Sequence, residues 1–149
     1  MRENGSTTIT ERLADAFYTE ALLLADETRS YLDGSGRGER DALDPLARVV
    51  FACESLNATT RLMQVIAWLL SRKSGANGRA APPGGRSMLA EVDAANPNDM
   101  AALPPEARRL IGAGIDLYER VRRLDEGGTA AATAPSPARA LIQRLERSL

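Results

Sequence analysis

Residues 44–73 read as one unbroken helix, and the rest of the chain has to fold around it. Asp44 followed by Pro45 is a start signal: a side-chain acceptor at the N-cap, then a proline whose missing N–H costs nothing at the first helical position. From there Leu46, Val49, Cys53, Leu56, Thr60, Met63, Ala67 and Leu70 recur at spacings that alternate three and four, the period of one helix stripe. Lys73, Gly75 and Gly78 supply a cationic last turn and a stop. At 1.5 Å per residue the rod is roughly 45 Å long, too long to persist in water unpacked.

Its second half is apolar on every side, since Val65, Ile66, Ala67, Trp68, Leu69 and Leu70 follow without interruption. Such a helix must be covered on more than one face, and this places Trp68 and Leu70 in a core. Cys53, on the same stripe as Leu70, is expected there as a small buried hydrophobe. The first half carries Arg48, Glu54, Ser55, Asn57, Thr59, Thr60 and Arg61. Glu54, Asn57 and Arg61 stand at i, i+3 and i+7, one stripe two turns long, and are expected as a buried polar seam that fixes register. Thr59 and Thr60 can bond back to their own helix or across to a neighbour.

The remaining segments supply partners for this rod. Thr8-Ile9-Thr10-Glu11 has the capping-box pattern. Leu13, Phe17, Ala21, Leu24, Thr28 and Tyr31 then keep helical spacing as far as Asp33, with Gly34 as the stop. Leu22 and Leu23 widen that apolar face. Gly34-Ser35-Gly36-Arg37-Gly38 reads as a flexible turn, with residues 37–43 an alternative helix. A phosphate-cradling loop would need a strand before it, and here a helix precedes it. Residues 74–102, with Gly75, Gly78, Pro82, Pro83, Gly84, Gly85 and Pro97, read as a long mobile loop able to cross the bundle, with a helical turn near 98–102.

Pro104-Pro105-Glu106 opens a third helix with a carboxylate at the positive end of the dipole. Leu110, Ile111, Gly114, Leu117, Val121 and Leu124 form its apolar face, beside Ala107 and Tyr118. Gly112 and Gly114 suggest close helix approach, and Gly127-Gly128 a stop. The expected architecture is an all-α, antiparallel three-helix bundle over residues 1–128. Residues 129–149 are a flexible linker and C-terminal segment, in which Leu141, Ile142, Leu145 and Leu149 line one side of a short helix. That segment resembles a tethered binding peptide.

Composition removes several classes of function. The 149 residues are 44% apolar and carry net charge −1, enough for one buried core and no bulk field for nucleic acid or anionic lipid. No histidine is present and Cys53 is the only cysteine, which excludes His-dependent triads, Cys/His zinc sites and intrachain disulfides. Carboxylate pairs such as Asp26-Glu27 and Asp125-Glu126 share no pocket by spacing, so no catalytic, cofactor-binding or metal-ligating residue is assigned. The polar opening and the absence of a ~20-residue apolar run predict a cytoplasmic protein without a membrane segment. Arg120, Arg122 and Arg123, with Arg108 and Arg109 three turns earlier, could grip an acidic partner, giving a protein-binding set of Arg120, Arg122, Arg123, Leu141, Leu145 and Leu149. The same arginine-rich helix ends support an alternative, a nucleic-acid-associated regulatory protein.

Strings on all three long helices carry a resemblance. Phe51-Ala52-Cys53-Glu54-Ser55-Leu56, Thr59-Thr60-Arg61-Leu62-Met63-Gln64 and Ala67-Trp68-Leu69-Leu70 with Arg72 resemble the signature of the regulator-of-CtrA-degradation (RcdA) family. Tyr18-Thr19-Glu20-Ala21 through Tyr31-Leu32-Asp33 and Gly36-Arg37 is similar to that family's opening. Leu117 to Asp125 is similar to its closing segment. The resemblance covers about two thirds of the chain in the right order. It implies a three-helix bundle, usually dimeric and without catalytic activity. It further implies an adaptor in bacterial cell-cycle control that delivers response-regulator substrates to the ClpXP protease with co-adaptors. The chain departs from the pattern in the Gly/Pro-rich loop from Ser74 and at Asn57-Ala58, which bears on the client more than on the fold.

Overall fold

The computed structural model describes residues 3–76, 95–133 and 144–148. Five helices follow in order: α1 (Glu3–Asp33), α2 (Ser35–Asp41), α3 (Pro45–Ala76), α4 (Pro97–Ala101) and α5 (Pro105–Thr133). A single helical turn, α6, spans 144–148. No strand occurs among the described residues.

The long helix begins as its cap predicts. Asp44 Oδ1 accepts a hydrogen bond from the Ala47 N–H at 2.8 Å, and the chain stays helical through Ala76. Helix α1 runs antiparallel to α3. Lys73 at the far end of α3 meets Asp15 at 3.2 Å and lies 4.3 Å from the Tyr18 ring centre, while Phe51 near its start packs on Tyr31, ring centroids 6.4 Å apart. Helix α1 is antiparallel to α5 as well, because Arg109 early in α5 pairs with Glu27 and Arg120 late in α5 pairs with Glu20. It follows that α3 and α5 run the same way. The long loop expected over residues 74–102 falls largely on residues 77–94, which lie outside the described ones. The helical turn expected near residues 98–102 is α4, capped by Asn96, whose side chain accepts from the Asn98 N–H at 2.9 Å.

The core lies where the three long helices converge. Leu69, Leu117, Val65 and Val121 are its largest fully buried side chains, joined by Phe17, Ala21, Leu24, Tyr31, Phe51, Leu62, Trp68, Leu110 and Ile111. On α5 the expected face is the buried one, Leu124 being half-buried. On α1, Phe17, Ala21, Leu24, Thr28 and Tyr31 are buried and the helix meets both α3 and α5, the contact with more than one neighbour that its wide apolar face suggests, whereas Leu13, Leu22 and Leu23 are exposed.

Four sequence-based expectations are corrected here. The stretch 34–38 is not a loose turn but the start of α2. Gly36 is buried, and a Cβ there would stand 2.6 Å from the Tyr31 carbonyl oxygen, so only glycine lets α2 fold back on α1. The Tyr31 hydroxyl donates to Glu39 on α2; burial, then this acceptor, raise the tyrosine pKa above its ordinary value. Helix α1 begins at Glu3, ahead of the Thr8 capping box, since no proline blocks propagation once the helix is packed. Helix α5 passes through Gly127 and Gly128 to Thr133, because glycine lowers helix propensity by only about 1 kcal/mol and an alanine run follows it. Gly112 and Gly114 do not mark close approach, as a Cβ at either would meet nothing within 4 Å. Gly112→Ala should therefore raise stability by about 0.5–1 kcal/mol in urea unfolding; a loss would show that space is tighter than the backbone allows.

Candidate functional site

The rod α3 has two equally regular stripes, and burial selects between them. Phe51, Glu54, Ala58, Arg61, Val65 and Trp68 alternate at three and four just as the other stripe does, and all six are buried. The stripe singled out from the sequence faces solvent: Leu46, Val49, Leu56, Met63 and Leu70 are exposed, and so are Cys53, Thr60 and Ala67. Cys53 and Leu70 are thus not core residues. The inner stripe wins because it holds both aromatic side chains, whose large area repays burial most.

This phase leaves an unusual outer surface. Between Arg48 and Arg72 the rod carries two charged residues, Glu54 and Arg61, and both are buried, at 7% and 3% exposure. Its exposed positions hold no charge at all, with Leu56 at 67% and Met63 at 66% exposure. Thr59 and Thr60 donate their hydroxyls to the Ser55 and Leu56 carbonyls at 2.9 Å, so these polar groups are satisfied within the helix, as expected. By contrast, α5 exposes Arg108, Asp116, Glu119 and Arg123, and α1 exposes Glu11, Arg12, Asp26 and Arg29. A solvated helix face is normally charged, and a contiguous apolar one marks an interaction surface.

The residues expected as a polar seam on α3 are Glu54, Asn57 and Arg61. Glu54 and Arg61 are buried, and Asn57 is half-buried. Thr28 Oγ1 and Glu54 Oε2 are buried without a hydrogen-bond partner. A cavity bounded by Thr28, Tyr31, Leu32, Ser55, Ala58, Ala107, Leu110 and Ile111 offers ≈ 10 Å³, room for about one water and no substrate. Among the described residues no group of His, Cys, Asp or Glu is placed to hold a metal ion, and no helix is long and apolar enough to cross a membrane.

The arginines of α5 do not form one patch. Arg120 grips Glu20 across the α1–α5 seam, one contact at 3.1 Å. It also pairs with Asp116 at 3.0 Å and stacks 5.6 Å from the Phe17 ring centre. These partners hold its guanidinium pKa above the ordinary value, the Glu20 hydrogen bond most of all. Arg109 binds Glu106 at 3.1 Å and Glu27, and the Arg109 hydrogen bond in turn lowers the Glu106 carboxyl pKa. Arg122 pairs with Glu126 at 3.1 Å, and Arg123 is exposed. Leu145, on α6, is 59% exposed; Leu141 and Leu149 lie outside the described residues. Sequence reasoning missed the outer face of α3, although its signal was legible: a charge-free stripe opposite one holding Phe51, Trp68 and both charges.

Among the described residues, the fold is an all-helical bundle with an exposed, uncharged face on α3. The profile of a family described as "Protein of unknown function (DUF1465)" matches residues 5–149. Among solved structures, the crystal structure of RcdA from Caulobacter crescentus CB15 is similar at TM-score 0.63 and 34% sequence identity, covering 84% of this chain and 95% of that one. The chain belongs to this family, the RcdA family. No curated protein matches.

Proposed function

We propose that this chain is a non-enzymatic adaptor that works as a homodimer in the cytoplasm and helps deliver cell-cycle regulator substrates to the ClpXP protease with co-adaptors. The observation that carries the reading is the 34% identity and shared fold with RcdA over 84% of the chain. Family resemblance supplies the protease and the class of client. The physical form agrees with it: the exposed apolar positions lie on helix faces, and a tethered segment carrying Leu141, Leu145 and Leu149 follows α5. Tethering raises the effective concentration of a client at the protease to the millimolar range without any chemistry on the client.

In this reading Arg122 and Arg123 contribute to protein binding, while Arg120 acts in the bundle. The nucleic-acid alternative draws no support, because Arg109 and Arg120 are engaged with Glu27 and Glu20.

Removal of residues 134–149, cut after the end of α5, should leave helicity and melting unchanged. It should weaken capture of client or protease at least about tenfold by removing the tethered contact. In a reconstituted ClpXP assay with a response-regulator client, the full chain should accelerate degradation and the truncated chain should not. Equal acceleration by both would remove the tail from the mechanism, and no acceleration by the full chain would overturn the delivery reading.

A further inference from the structure

We infer that the outer face of α3 is covered by the same face of a second copy of this chain, the two rods forming an intermolecular seam about a two-fold axis. The inference rests on the homodimer of the proposed function and assigns its face.

Four observations identify the occupant. The first is periodicity: eight positions from Leu46 to Leu70 alternate three and four without a slip, which is the heptad of a two-stranded seam. A matching period is guaranteed on a second copy. The second is charge. The face has no ionic group with which to orient a charged partner, whereas two identical uncharged faces meet with no like-charge cost. An amphipathic helix lying on lipid would flank its apolar stripe with Lys and Arg; here the exposed positions between Arg48 and Arg72 carry none. The third is area. Residues 49–71 form a strip roughly 35 Å long, and covering it on both copies removes about 1,200 Å² in total, the lower end of a standard specific interface. The fourth is the competing segment of this chain: Leu145 on α6 is itself exposed, so α6 is not seated on the strip.

Exposed Cys53 lies within the strip and reports on its cover. In the full-length chain, labelling of Cys53 by an aromatic disulfide reagent should slow at least about tenfold as protein concentration rises from the submicromolar to tens of micromolar, in step with dimer formation seen by sedimentation. Leu56→Asp should raise the dimer dissociation constant at least about 100-fold, because each substitution occurs twice in a two-fold interface. It should also restore fast labelling while leaving the melt of the monomer unchanged. Met63→Gln provides a milder second variant, and Leu23→Asp on the outside of α1 should leave the dimer intact.

A wild-type dimer with fast, concentration-independent labelling would overturn the face and leave the homodimer standing. A wild-type monomer at all concentrations would overturn both, and the ClpXP assay would then judge delivery by itself. Slow labelling at every concentration, abolished by removing residues 134–149, would give the strip to the tail and overturn the inference.

Discussion

Leu69→Ala should cost about 3–5 kcal/mol in urea unfolding, whereas Leu70→Ala, one residue further on, should cost under about 1 kcal/mol when measured at concentrations too low for pairing. Leu69 is fully buried between the three long helices, and Leu70 is 45% exposed. The first substitution leaves a cavity bounded by side chains that cannot all collapse into it; the second trims a side chain already half in water. The sequence reading placed Leu70 with Trp68 in the core and so expected a core-sized loss, about 2–5 kcal/mol, at Leu70. The comparison therefore measures the rotational phase of α3 directly, since a phase error of about 100° exchanges the two values. Equal costs at these neighbouring positions would reject the packing described here.

Arg61→Ala should be as damaging, at about 3–5 kcal/mol, for a different reason. Glu54 and Arg61 are both buried on the inner stripe of α3, seven residues or roughly 10 Å apart along the axis. Side chains on a helix lean toward its N-terminus, and Glu54 lies on that side of Arg61. Removing one charge leaves the other in a low-dielectric core. Removing both, as in Glu54→Leu with Arg61→Met, should cost far less than the sum of the single changes, with a coupling of about 1–3 kcal/mol in a double-mutant cycle. Strict additivity would show that the two groups are sustained by separate partners.

These two experiments bear on what the amino-acid order made legible. The helices were readable because their signals are local: the Asp44 cap and Pro45, the stop at Gly34, the apolar period of α5 from Ala107 to Val121. The seam was read from the i, i+3 and i+7 spacing of Glu54, Asn57 and Arg61, of which Glu54 and Arg61 are buried. The resemblance to RcdA was carried by contiguous strings, and the similarity in fold agrees with it. Misreadings arose where a residue's role depends on another segment. Gly36 looked like flexibility because its need for a missing Cβ appears only when Tyr31 stands over it. Gly112 and Gly114 suggested contact where there is open space. Arg120, expected as a docking cation, also holds Glu20, a hundred residues away, a contact that local sequence could not show.

By itself, the sequence placed three long helices, the longest read over residues 44–73, and with no histidine and a single cysteine it left no His-dependent triad and no intrachain disulfide. Those conclusions follow from periodicity, caps and composition, which act within a few residues. Only the tertiary structure decided which side of the rod faces inward, because two stripes of equal regularity are degenerate along a single helix. Packing against α1 and α5 breaks that degeneracy: it draws Phe51, Trp68 and the two charges inside and leaves an apolar, uncharged strip in solvent.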